Sequence, residues 1–244
     1  MKKTVEFKAV RLSYGRKIVF DALDFTICEG DFLGIVGPNG SGKTTILRSI
    51  MGLLRPRSGE IIRDKNLRFG YCMQRQFIDT LFPFTVFEIV MMARTKIIGP
   101  FKKPRGIDKE QVLEALEVAG IQDLSSQRFY NLSGGQKQRT VIARALALEP
   151  NFLILDEPTT DLDVKAEKEI LELIKTLHLK KNLTIALVTH ELDEVINCAK
   201  RFMFLNKNMP HKLFDRDELN EGLLSEIFQT QIRLKKIDEK TVVF

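Results

Sequence analysis

Residues 32–47 read Phe-Leu-Gly-Ile-Val-Gly-Pro-Asn-Gly-Ser-Gly-Lys-Thr-Thr-Ile-Leu: an apolar run, a glycine-rich turn, then a lysine and two threonines that open a second apolar stretch. Residues 37–44 match the pattern G-x-x-x-x-G-K-[ST]. Gly37, Gly40 and Gly42 let the backbone curl, with Pro38, Asn39 and Ser41 between them, so that successive N–H groups face inward. A helix starting at Lys43 points its positive end into the same curl, and Thr45 belongs to its first turn. Lys43 is the mobile charge that reaches β- and γ-phosphates, and the Thr44 hydroxyl is a ligand type for Mg²⁺. The stretch predicts a nucleotide-binding strand, loop and helix.

Working outward, residues 4–36 alternate apolar and polar positions (Val5, Phe7, Ala9; Phe20, Leu23, Phe25, Ile27) with turn signals at Gly15 and Gly30-Asp31. That is the pattern of half-buried antiparallel strands. From Phe32 the pattern changes to continuous apolar runs at 32–36, 152–155, 184–188 and 202–205, which read as parallel strands buried on both faces. Between them, 164–178 and 191–199 carry helical apolar spacing (Ile170, Leu173, Ile174, Leu177; Leu192, Val195, Ile196, Ala199). Strand–helix alternation predicts an α/β doubly wound sheet with an N-terminal antiparallel β subdomain. The catalytic core is expected over 1–75 and 150–206. Residues 76–149 are expected as an inserted α-helical subdomain, with an exposed loop at Pro100, Pro104 and Gly106, and 207–244 as an extension ending in a late strand or helix.

Two further motifs carry chemistry. The run Phe152–Leu155 ends in Asp156-Glu157, and the carboxyl end of such a strand is where open α/β sheets bind ligands. There Asp156 suits Mg²⁺ and Glu157 suits polarising an attacking water. Leu132-Ser133-Gly134-Gly135-Gln136 offers Ser133 as N-cap of a helix with apolar face Val141, Ile142, Ala145 and Leu146, and a helix N-terminus with two glycines invites a second phosphate contact.

Taken together, these residues resemble the ATP-binding subunit of ABC transporters, from about residue 4 to residue 206. In that resemblance Ser133–Gln136 is the signature and Asp156-Glu157 the second nucleotide motif. Gln74, in Tyr71-Cys72-Met73-Gln74, corresponds to the glutamine that senses Mg²⁺ and couples to membrane subunits. Asp163 corresponds to the aspartate crossing to the opposing site, His190 to the switch histidine at the γ-phosphate, and Tyr14 to the aromatic stacked on adenine. The resemblance implies ATP and Mg²⁺ as cofactors and a second copy of the chain as partner. The two copies sandwich two nucleotides, each held by one chain's phosphate loop and the other's signature. It also implies integral membrane permease subunits, indirectly a solute-binding protein, and a cytoplasmic place on the inner face of the membrane.

The segment 79–90, Asp-Thr-Leu-Phe-Pro-Phe-Thr-Val-Phe-Glu-Ile-Val, resembles the D-x-x-F-P-x-T-V-x-(D/E)-x-V pattern of zinc and manganese importers. Iron-chelate importers carry similar segments. A soluble cluster-assembly ATPase of the same length is the alternative from another class, and the Phe82–Glu88 segment disfavours it. Met91-Met92-Ala93-Arg94 departs from the usual Met-Gly-Arg, and residues 206–213 lack the glycine turn common in relatives; His211 there carries no metal argument.

Composition agrees. With 38 Lys and Arg against 32 Asp and Glu the chain is at +6, but its basic clusters (Arg55–Arg57, Lys102–Arg105, Arg233–Lys236) are not interleaved with the aromatics of single-strand binding, so nucleic acid is not expected. Cys28, Cys72 and Cys198 form no C-x-x-C pair, which fits a reducing compartment without disulfides or zinc. No apolar run reaches the ~18–20 residues that span a bilayer, and the first residues lack a signal peptide's apolar stretch.

Overall fold

The computed structural model describes residues 2–73, 83–99, 101–206, 213–237 and 240–243. In chain order the elements are β1 (Lys3–Tyr14), β2 (Lys17–Cys28), β3 (Phe32–Val36), α1 (Lys43–Ile50), β4 (Ser58–Arg63), β5 (Phe69–Cys72), α2 (Val86–Ile98), α3 (Gly106–Val118), α4 (Gly134–Leu146), β6 (Phe152–Asp156), α5 (Val164–Lys181), β7 (Thr184–Thr189), α6 (Leu192–Ile196), β8 (Arg201–Phe204), β9 (Leu213–Asp215), α7 (Glu221–Phe228), β10 (Leu234–Ile237) and β11 (Lys240–Val243), with short 3₁₀ turns between α3 and α4 and between β9 and α7. They form two compact units, Met1–Leu67 with Thr184–Phe244, and Arg68–Leu183.

In the first unit β1 is the middle strand of an antiparallel trio, β2-β1-β4. The alternation read in the sequence places Val5, Phe7, Val10, Leu12, Phe20, Leu23, Phe25 and Ile27 on a buried face, where the Phe7 and Phe25 rings stack at 4.2 Å. Register shifts in β1 coincide with a positive φ at Ala9, the mark of a bulge that bends the strand. β3 lies between β7 and β8, parallel to both, and β9 runs antiparallel along β8. All five residues of β3 and all six of β7 are buried, which is why these runs are apolar throughout and not alternating. The β10–β11 hairpin is tied to α6, whose Asn197 cap donates to Thr241 O at 2.7 Å and accepts from Thr241 N at 2.8 Å. The helical spacing over 191–199 gives only Leu192–Ile196 as helix. Asn197 ends it, and its side chain serves the hairpin.

In the second unit β5 and β6 pair in parallel, and α2, α3 and α4 pack on one another. Each helix buries the stripe its spacing demands: Val86, Ile89 and Val90; Val112, Ala115 and Leu116; Val141, Ile142 and Ala145. Burying one such side chain contributes about 1.5–3 kcal/mol. At the centre of this packing stands one cation. Arg94 donates to Asp108 Oδ1 at 3.0 Å, to Ala147 O at 3.0 Å and to Glu149 Oε1 at 2.6 Å, which joins α2, the start of α3 and the end of α4. The Asp108 carboxyl is held below the usual carboxylate range by the Arg105 N–H and by the Arg94 guanidinium, against a burial effect of opposite sign.

Candidate functional site

The phosphate loop leaves β3 at Gly37, whose N–H donates to Thr189 O at 3.4 Å at the end of β7. A side chain at Gly37 has no room, since a Cβ there would sit 2.7 Å from Leu205 O and 2.8 Å from Ser41 Oγ. Gly42, the N-cap of α1, has φ 102, a conformation costly for any residue with a Cβ. Ser41 N donates to Pro38 O at 3.2 Å, closing the curl, and Pro38, Asn39, Gly40 and Thr44 are exposed while Thr45 is buried. Lys43, buried at 7% exposure, turns its ammonium back over the loop, donating to Gly37 O at 2.7 Å and Pro38 O at 3.3 Å.

Two features fit this loop to an oxyanion. The buried Ser41 hydroxyl has no hydrogen-bond partner among the described residues, and a buried orphan of that kind costs free energy until an acceptor reaches it. The first turn of α1 carries no acid, so the helix end and Lys43 keep their positive potential. In the same unit Tyr14 ends β1 beside the Gly15 turn and is exposed. His190 follows β7, also exposed, with Nε2 3.5 Å from Glu191 Oε1. Its backbone neighbourhood is fixed: Thr189 Oγ1 accepts from Glu191 N and donates to the buried Glu194.

In the other unit, β6 is buried up to Leu155 and delivers Asp156 and Glu157 half-buried at its carboxyl end. Tyr71 Oη donates to Asp156 Oδ2 at 3.0 Å, an orienting contact that the sequence reading missed; its signal was the Tyr three residues before Gln74. Glu157 takes a positive φ of 50, and Thr160 Oγ1 donates to its Oε2 at 3.4 Å. Strained backbone of this kind is retained where the surroundings fix a side chain's aim. Asp163 is exposed and N-caps α5, accepting from Ala166 N at 2.9 Å, a structural task beside the one expected of it.

Ser133 caps α4 as its position predicts. Its Oγ accepts from Gln136 N at 3.3 Å, and Gln136 Oε1 accepts from Ser133 N at 2.9 Å. This reciprocal pair satisfies two helix-end donors, while Gly134 and Gly135 form the first turn. A Cβ on Gly135 would lie 3.1 Å from Ala166 Cβ, so that glycine also admits the start of α5. Gln74, its neighbour Gln76, and residues 79–82 of the importer-like segment lie outside the described residues. Phe84 and Thr85 are described: Phe84 is partly exposed, and Thr85 caps α2 in a capping box with Glu88. No group of three or more metal-ligating side chains occurs among the described residues, and no helix among them is long and apolar enough to cross a membrane.

The model of a family described as ABC transporter matches residues 20–160. Over 235 residues the chain is 37% identical to a metal transport system ATP-binding protein of Chlamydia trachomatis (93% of this chain, 98% of that one). It is also 37% identical to the zinc uptake system ATP-binding protein ZurA of Listeria monocytogenes (89% and 91%). Among solved structures, one described as an inward-facing metal-chelate type ABC transporter aligns with TM-score 0.90 at 30% identity, covering 100% of this chain and 96% of that one. A dimeric ATP-binding cassette in a post-hydrolysis state with ADP and Pi aligns with TM-score 0.70 at 29% identity (87% and 98%).

Proposed function

The chain belongs to the ABC transporter family, as an ATP-binding cassette of the kind that hydrolyses ATP, and from that premise we propose that it powers import of a divalent metal ion, zinc or manganese, through a separate membrane permease. The observation that carries the metal is the 37% identity to a zinc uptake ATPase across nine-tenths of both chains. The Asp79–Val90 pattern points the same way.

The roles are those that the family resemblance implies for residue types suited to them. Backbone N–H groups of Gly37–Thr45, the Ser41 hydroxyl and Lys43 bind the polyphosphate, and Tyr14 stacks on the base. Thr44 and Gln74 would ligate Mg²⁺ and Asp156 would hold it through water, and the ion would neutralise charge on the phosphates. Glu157 orients and deprotonates the attacking water, and His190 contacts the terminal phosphate. Ser133–Gln136 and Asp163 of a second copy complete each site, so that the N-terminus of α4 adds positive potential where charge develops. The cassette works at the inner membrane surface, docked on that permease, as the family resemblance implies.

A second reading, import of a metal chelate, rests on the whole-chain likeness to the metal-chelate type transporter. The test is co-expression with a candidate metal permease that the chain pulls down from solubilised membranes, followed by uptake in vesicles supplied with ATP. Uptake of free zinc or manganese supports the first reading, uptake of chelated iron the second, and uptake of a non-metal solute rejects both.

A further inference from the structure

The turn between α2 and α3 is built unlike any other part of the described surface. Residues 101–107 are all exposed in succession, and Phe101 stands wholly in solvent at 106% relative exposure with a φ of 65. A bulky residue in that left-handed region is rare and disfavoured, and nothing in the core recovers the cost. Ile97, in the last turn of α2, and Ile107, in the first turn of α3, are also exposed, at 52% and 49%. The bond from Arg94 of α2 to Asp108 in the first turn of α3 ties together the two helices that the stretch carrying Ile97, Phe101 and Ile107 connects.

The same stretch is strongly basic. Residues 96–109 hold five cations, Lys96, Lys102, Lys103, Arg105 and Lys109, and one acid, Asp108. All five cations are exposed, whereas Asp108 is 1% exposed with its carboxylate taken up by Arg94 and the Arg105 N–H. From Lys96 to Lys109 the described residues therefore present positive charge with no exposed acid between them, and the next acid, the exposed Glu110, follows Lys109.

From this juxtaposition we propose that the α2–α3 tip binds the anionic phospholipid surface of the membrane, with Phe101 entering the headgroup region between Ile97 and Ile107 and the lysines over the phosphates. An exposed aromatic flanked in sequence by exposed lysines suits an anionic interface, where apolar burial and charge attraction add. A peptide groove needs concavity, and α2 and α3 turn their apolar stripes inward here. The proposal extends the membrane placement given above and is independent of the transported solute. It also stands apart from nucleotide chemistry, because its readout is vesicle binding, whereas that placement is judged by permease-dependent uptake.

The chain contains no tryptophan, so Phe101→Trp installs a unique reporter. The full-length chain is sedimented with vesicles of phosphatidylcholine alone and of an equimolar phosphatidylcholine–phosphatidylglycerol mixture, and the Trp emission is recorded. Binding and a blue shift are expected with the anionic vesicles only, declining with salt. Replacing Lys102 and Lys103 together by glutamine should lower partitioning about 25-fold, at about fivefold per cation. Phe101→Ala should lower it about tenfold. Circular dichroism and ATP turnover of each variant report on folding, and the double lysine variant alters exposed positions only. Equal binding to neutral vesicles, no shift of the reporter, or unchanged partitioning of the lysine variant overturns the proposal. So does a shift seen only when permease is present in neutral lipid, which would assign the tip to a protein.

Discussion

Gly42→Ala tests whether the shape of the phosphate loop is set by backbone conformation and by the ring beneath it. At φ 102 the position lies outside the regions L-residues favour, at a cost of about 1–3 kcal/mol. The added Cβ would also fall 2.5 Å from Phe20 Cζ and 2.6 Å from Cε2, and Phe20 is 2% exposed in β2, so its ring has nowhere to retreat. Overpacking of that kind costs about 1–3 kcal/mol more. If the loop bears the sum, about 2–6 kcal/mol, ATP affinity falls between about 30-fold and about 10⁴-fold at 1.4 kcal/mol per decade. Gly40→Ala is the internal control: its φ is 78, yet a Cβ there meets nothing within 4 Å, so only the conformational part applies. Phe20→Leu combined with Gly42→Ala should recover the steric part alone. Calorimetric titration with ATP and thermal unfolding, run on the wild type and all three variants, separate damage to the loop from damage to the fold. Wild-type affinity in Gly42→Ala, or equal effects at Gly40 and Gly42 with no recovery by Phe20→Leu, would refute the reasoning.

Glu157→Gln keeps the side chain's shape and removes its basicity; turnover should drop by on the order of 10²–10⁴ with ATP binding retained, in steady-state hydrolysis and nucleotide titration. Asp108 has its folded pKa depressed, so its contribution to stability is present above the unfolded value of about 3.9 and is lost as pH falls through the folded one. Acid unfolding followed by circular dichroism should therefore steepen below pH ~4, and Asp108→Asn should both lower stability at neutral pH and flatten that acid limb. Phe84→Ala removes an exposed aromatic beside the α2 cap; permease pull-down should weaken about thirtyfold, at ~2 kcal/mol for an interface anchor, while basal ATPase changes little.

Much of the fold was legible because buried parallel strands write themselves as unbroken apolar runs. The runs at 32–36, 152–155, 184–188 and 202–205 are β3, β6, β7 and β8 within a residue or two. The Ser133 cap was readable because capping is local: the hydroxyl and the N–H it meets are three residues apart. β4 was not, since Ser58–Arg63 is a half-exposed edge strand of the trio, with no apolar alternation and its pairing to β1 set by residues fifty positions away. The hairpin β10–β11 was hidden for a similar reason: its place depends on Asn197 and Asp193 of α6, distant in sequence. Residue types suggested roles for Lys43, Asp156 and Glu157 that remain proposals, whereas Tyr71 on Asp156 and the buried Arg94 cluster arise only from three-dimensional neighbours. The left-handed backbone at Glu157 likewise has no signature in the residue itself.

The central claim is that each hydrolytic site joins the phosphate loop of one chain to the signature of another, and mixing two inactive variants tests it most directly. Lys43→Ala destroys the loop and Ser133→Arg the signature, so each homodimer lacks both sites, whereas a heterodimer of the two retains one complete site. ATP hydrolysis by the mixture should rise well above that of either variant alone, in proportion to the heterodimer fraction measured on the same samples. A mixture no more active than its components, with heterodimers demonstrably formed, would contradict the shared site.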